Sequence, residues 1–127
     1  MGALQELTPD MLKRTTQIDY DREMAMVAVI QHELQDSIIG ISRYVTNPDF
    51  QSSEFALVVA DQWQNKGIGR QLMTCLIQAA ITKQLKIMTG EIMSNNVSML
   101  SLVKHLGFSV KPSDKDISLQ IATKLLF

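Results

Sequence analysis

Apolar residues in this chain fall first into short blocks with strand character and then into runs with three-and-four spacing. The pattern therefore predicts antiparallel strands followed by a strand-helix series. Residues 23–34 centre on Met26-Val27-Ala28-Val29-Ile30, Gln35-Asp36 turns them into a second strand over 37–45, and Asn47-Pro48-Asp49 ends that arm. A third strand over 53–60 is continuously apolar through Phe55-Ala56-Leu57-Val58-Val59-Ala60. Ile68, Leu72, Met73, Leu76, Ile77, Ala80 and Ile81 then mark one buried face of a helix running to about residue 83. A strand over 86–93 leads through Ser94-Asn95-Asn96 into a second helix, with Met99, Leu100, Leu102, Val103 and Leu106 apolar and Gly107 as its stop. Short strands over 108–111 and 117–125 complete the order. At the front, Thr8 and Pro9 predict a short helix over 9–17. Such an order implies an α/β (α+β) fold, a mixed, mostly antiparallel sheet flanked by helices.

The segment Gln64-Asn65-Lys66-Gly67-Ile68-Gly69-Arg70 joins the third strand to the first long helix. A helix start carries unsatisfied N–H donors and partial positive charge, so a glycine-rich turn entering it suits a pyrophosphate. The spacing is not that of a triphosphate loop, and Leu72 stands where a dinucleotide fingerprint needs its third glycine.

Composition narrows the classes. With 127 residues, 46% apolar and 20% charged, the chain is expected to form one domain over 1–127, structured over about 7–125. A net charge of −1 and no basic stretch argue against nucleic acid. No 18-residue apolar run or signal sequence appears, so no membrane role is expected. The single cysteine, Cys75, reads as a core thiol and forbids an internal disulfide, consistent with a cytoplasmic protein. His32 has no metal-ligand spacing around it, and no metal site is expected.

Gln64, Gly67 and Gly69 match the Q/R-x-x-G-x-G/A signature, and Asn96 lies eleven residues before Gly107-Phe108. The chain thereby resembles the GNAT superfamily of N-acetyltransferases and its acyl-CoA N-acyltransferase fold. That resemblance implies acetyl-CoA as donor. Amides of Asn65, Lys66, Gly67, Ile68, Gly69 and Arg70 would hold the pyrophosphate, with charge from Lys66 and Arg70. Backbone groups of Leu57, Val58 and Val59 would pair with the pantetheine arm, an N–H near Val58 would polarise the thioester, and Asn96 would contact the arm.

Acetyl transfer to an amine needs a base, because a free lysine has a pKa of about 10.4. Glu54 stands at the family's catalytic position and is the expected base, with Glu91 second. Asp19, Asp21 and Glu23 read as a solvated turn or part of the acceptor side. Many family members carry a tyrosine as general acid where this chain has Val103, and the nearby His105 reads as a surface residue.

The stretches Thr16-Gln17-Ile18-Asp19-Tyr20-Asp21-Arg22-Glu23-Met24-Ala25-Met26, Gly40-Ile41-Ser42-Arg43-Tyr44 and Ser53-Glu54-Phe55-Ala56 look most like bacterial protein-lysine acetyltransferases of the acyl-CoA synthetase-fused type. The resemblance implies a protein lysine as acceptor, with a small amine or amino acid, or a non-catalytic acyl-CoA-binding module, as alternatives. It also implies that the first strand and helix of the domain are lacking. The chain would then be a piece of a longer protein, or a homo-oligomer would cover an exposed sheet edge.

Overall fold

The computed structural model describes residues 12–32 and 35–127. Along the chain run β1 (Leu12–Asp19), β2 (Glu23–His32), β3 (Gln35–Thr46), β4 (Ser52–Val59), a 3₁₀ turn (Asp61–Trp63), α1 (Ile68–Thr82), β5 (Ile87–Met93), α2 (Val97–His105), β6 (Ser109–Pro112) and β7 (Leu119–Leu125). The strands form one sheet in the order β1-β2-β3-β4-β5-β7-β6. Every neighbouring pair is antiparallel except β4 with β5.

Three expectations are corrected. Residues 12–17 are strand rather than helix, pairing from Leu12 with Ile30 to Asp19 with Met24, while residues 9–11 lie outside the described residues. An isolated short helix is marginal, whereas the edge of β2 offers a backbone partner at nearly every position to a segment that includes the β-branched Thr15, Thr16 and Ile18. Gln35 and Asp36 are not the turn either. They pair with His32 and Gln31 inside the β2–β3 ladder. The last strand begins at Leu119, because Asp116 Oδ1 accepts from the Ser118 N–H at 2.9 Å and holds a turn ahead of it.

β4-α1-β5 and β5-α2-β6 each join parallel strands in the same direction across the sheet, so right-handed crossovers put both helices on one face. The core lies there. Met24, Tyr44, Phe55, Leu72, Leu76, Met88, Val103 and Ala122 are buried in a single cluster. Ser42, fully buried, donates from Oγ to the Leu72 carbonyl at 3.0 Å and fixes α1 on β3. Cys75 is half-buried beside this core rather than within it. Asp19 forms an ion pair with Lys83 at the end of α1 (3.1 Å), so it belongs to the helix side of the sheet.

The opposite face is open. Ile41 and Val45 of β3, Glu54, Ala56 and Val58 of β4, and Glu91 and Met93 of β5 are exposed there by the alternation of side chains along each strand.

The turn before β4 sets where that strand begins. Asp49 Oδ1 accepts from the N–H groups of Gln51 (2.8 Å) and Ser52 (3.0 Å), and Asn47 Nδ2 donates to Ser52 Oγ (2.8 Å). Those N–H groups hold the Asp49 carboxyl below its ordinary value of 3.8. A depressed folded pKa stabilises the fold above the unfolded value, and that stabilisation is lost as pH falls through the folded one. The melting temperature of the wild type should therefore fall more between pH 4 and pH 2 than that of Asp49→Asn, read by circular dichroism. Equal slopes would show that the turn contributes nothing.

Candidate active site

β4 and β5 pair at only three positions, Ser52 with Ile87, Ser53 with Met88 and Glu54 with Thr89. Beyond Glu54 the ladder stops, while β4 runs on to Val59, bonded on its other edge to β3. Which backbone groups face the resulting fork follows from the antiparallel alternation. The Ala60 N–H donates to the Ile39 carbonyl (2.9 Å), so Glu54, Ala56 and Val58 exchange hydrogen bonds with β3. Leu57 and Val59 direct theirs toward the fork. The backbone groups of Val58 itself are thus taken by β3, and the N–H groups near it that face the fork are those of Leu57 and Val59. The Val59 carbonyl is met by the Gln64 side chain, which donates from Nε2 at 3.0 Å and also reaches Asp61 Oδ1 at 3.3 Å.

At the far end of the fork the loop turns through two left-handed residues, Asn65 (φ 61°) and Gly67 (φ 87°). Gly67 is the N-cap of α1 and offers no side chain, and the first turn of α1 holds no carboxylate. The first helical bond runs from the Gln71 N–H to the Gly67 carbonyl (3.1 Å), which leaves the N–H groups of Ile68, Gly69 and Arg70 ahead of it without helical acceptors. By contrast α2 caps itself: Asn96 Oδ1 accepts from the Met99 N–H at 3.2 Å. Ser98 Oγ donates to Asn65 Oδ1 at 2.8 Å and ties the start of α2 to the loop.

Between these parts lies a cleft of about 370 Å³, within the ~300–1,000 Å³ range of small-molecule sites. The structure brings Leu57, Val58, Val59, Gln64, Asn65, Gly67, Gly69, Arg70 and Asn96 together around it. Lys66 and Ile68 do not line it. Lys66 is half-buried, and the Ile68 side chain is 2% exposed in the core beneath α1, so only its backbone can serve a ligand.

Sequence reasoning missed Asp61, Ser98, Met99 and Leu102. Met99 and Leu102 stand three and six residues from Asn96, on its side of α2, but as apolar positions they read as core. They are half-buried, packed on the core at one side and facing the cleft on the other. The arrangement can hold an anion at the α1 terminus, where Arg70 adds charge, and an extended polar chain along the free edge of β4.

Neither candidate base lines the cleft. Glu54, the last residue of the parallel ladder, is exposed on the open face at the apex of the fork. Glu91 is exposed on the same face, further along β5 and paired with Ile121 of β7. Val103 is fully buried and cannot reach the cleft. His105 is exposed on α2, its Nδ1 2.8 Å from the Ser101 carbonyl, outside the site. Among the described residues no group of His, Cys, Asp and Glu is placed to hold a metal, and no helix is long and apolar enough to cross a membrane.

A sequence profile of the acetyltransferase (GNAT) family matches residues 3–108. Over 98% of its length the chain is 32% identical to acetyltransferase PA5475 of Pseudomonas aeruginosa, of which it covers 67%. It is 26% identical over 85% of its length to the L-methionine sulfoximine/L-methionine sulfone acetyltransferase of the same organism, covering 66% of that protein. The chain thus spans about two thirds of the length of these relatives. The solved structure of yncA, a Salmonella typhimurium protein described with its cofactor acetyl-CoA, superposes with a TM-score of 0.67 at 22% identity, covering 83% of this chain and 65% of that one.

The loop makes a test that needs no ligand. A methyl added at Gly67 meets nothing within 4 Å, so Gly67→Ala isolates the cost of the left-handed backbone. Chemical denaturation should show a loss of about 1–2 kcal/mol. A change below about 0.5 kcal/mol would mean that the loop adopts another conformation.

Proposed function

The chain belongs to the acetyltransferase (GNAT) family, and on that premise we propose that it moves the acetyl group of acetyl-CoA onto a lysine ε-amine of a protein, with Glu54 as general base. One observation carries the reading. The apex of the fork at Glu54 is continuous along β4 with the free edge at Leu57 and Val59, which shares one cleft with Gly69 and Arg70 at the uncapped start of α1.

On this reading the pyrophosphate takes the N–H groups at the start of α1 and the charge of Arg70. The pantetheine arm extends the sheet along Leu57 and Val59, and Asn96, whose Oδ1 is engaged by its own helix, offers its amide nitrogen. The ε-amine must lose a proton before it can attack. Glu54 accepts that proton, directly or through one water. The amine nitrogen then attacks the thioester carbon, an N–H of Leu57 or Val59 stabilises the oxyanion, and the C–S bond breaks. Ser98, the hydroxyl of α2 that lines the cleft, is engaged with Asn65, so the sulfur departs as thiolate. A free thiol has a pKa of about 8.5, which makes that departure feasible near neutral pH.

A protein acceptor is supported by the exposure of Glu54 on the flat, open face, where a side chain standing out from another molecule can reach it. A second reading, acetylation of a free amino acid, is favoured by the relative that acts on L-methionine sulfoximine and L-methionine sulfone. Mass spectrometry of mixed lysine-bearing proteins and of L-methionine sulfone after incubation with acetyl-CoA separates the two.

For the mechanism, Glu54→Gln should bind acetyl-CoA within about twofold of wild type by calorimetry and lose about 10²–10⁴ in kcat/KM. Its remaining rate should climb with pH as free amine accumulates. A wild-type rate in Glu54→Gln would remove that residue from the mechanism and turn attention to Glu91. Failure of acetyl-CoA to bind the wild type would sink the donor assignment itself.

A further inference from the structure

Past Glu54 and Thr89, where the parallel ladder ends, the first residue on each strand is Phe55 on β4 and Gly90 on β5. Both face the helices. Phe55 is 7% exposed, and its ring reaches across the fork onto the backbone of β5. A Cβ placed on Gly90 would lie 2.6 Å from Phe55 Cζ and 2.7 Å from Cδ2, with Cε2 nearer still, so the ring occupies the space a side chain would need. Phe108 meets it edge-on, with centroids 5.2 Å apart and planes at 60°, and Val103 is fully buried in the same cluster. The ring is thus pinned between a bare stretch of β5 and a second aromatic. It closes the helix side of the fork at its apex, next to the cleft that begins at Leu57.

We propose that Phe55 limits the acyl chain this enzyme transfers, closing the apex on the helix side to groups much longer than acetyl. The inference rests on the reading above, in which the thioester lies in the fork beside Glu54. An acetyl methyl would meet the ring there, and each further methylene would have to displace it. Displacement is resisted on two sides, since Phe108 blocks one direction and the backbone of Gly90 the other. Close-packed aromatic floors do not yield by small shifts. A chain with one methylene too many is commonly disfavoured about 10–200-fold in such a pocket. Gly90 belongs to the same device: any side chain at that position would drive the ring outward into the fork.

The test compares CoA, acetyl-CoA and butyryl-CoA on the wild type and on Phe55→Leu, which keeps an apolar side chain in the core but removes the ring. Wild-type kcat/KM for butyryl-CoA should lie at least about 100-fold below that for acetyl-CoA, and Phe55→Leu should raise the butyryl-to-acetyl ratio about tenfold or more. The calorimetric Kd of unacylated CoA should agree within about twofold between the two proteins. Wild-type binding alone supplies a further readout, with butyryl-CoA expected to bind at least about tenfold more weakly than CoA, so the inference can be judged even if Phe55→Leu does not fold. Equal use of butyryl- and acetyl-CoA by the wild type, or an unchanged ratio in a folded Phe55→Leu, would overturn it. If CoA itself fails to bind the wild type, the donor site is wrong and the proposal falls with it, a result distinct from binding without chain-length selection.

Discussion

Three paired residues on β4 and three on β5 govern the rest of this molecule. A parallel ladder that continued to Val59 would satisfy every backbone group of β4 and leave no cleft. By ending at Glu54 and Thr89 it leaves the N–H and C=O groups of Leu57 and Val59 turned toward a gap. Unpaired backbone groups are costly when dry, and the chain manages this one in part by laying the Gln64 amide on the Val59 carbonyl. The edge is thus a strand's worth of hydrogen-bonding capacity held open where a ligand can use it.

What keeps it open is packing on the helix side. Phe55 lies over Gly90 at the point of divergence and Phe108 holds the ring edge-on. Further along, Leu57 and Leu102 both crowd Gly69, where a Cβ would stand 3.4 Å and 3.2 Å from their respective Cδ2 atoms. The start of α1 is thereby pressed between β4 and α2, and the hydrogen bond from Ser98 to Asn65 closes the same contact from outside. The loop before α1, the free strand edge and α2 are one mechanical unit.

Much of this was legible in the chain because glycine punctuates it. Gly67 and Gly107, both at positive φ, mark the entry to α1 and the exit from α2, and the apolar spacing between such marks gives the helices. What was not legible depends on partners remote in sequence. Residues 12–17 follow a plausible local helix start at Thr8 and Pro9, yet the free edge of β2 decides their conformation. Val58 and its neighbours are interchangeable as letters. Only the pairing of β4 with β3 shows which of them face the fork, because a shift of one residue exchanges every backbone and side-chain direction. Met99 and Leu102 were hidden for a related reason, since a half-buried apolar residue bordering a cleft has the same spacing as a core residue.

The sheet also separates the two halves of the proposed reaction. Leu57, Val59, Met99 and Leu102 gather the donor site on the helix side, whereas Glu54 stands on the opposite face, in the strand next to Arg43 and Val45 of β3. An amine reaching Glu54 from the open face meets the fork from the side away from the helices. On the proposed reading the amine adds to the thioester carbonyl from the open face, and the tetrahedral intermediate collapses with the thiolate leaving toward the cleft. Burial of Val103 fits this division, because the departing sulfur would lie among aliphatic side chains and backbone N–H groups rather than beside a protein acid. On the proposed reading, selection of the donor belongs to the helix side of the fork and selection of the acceptor to whatever meets the open one.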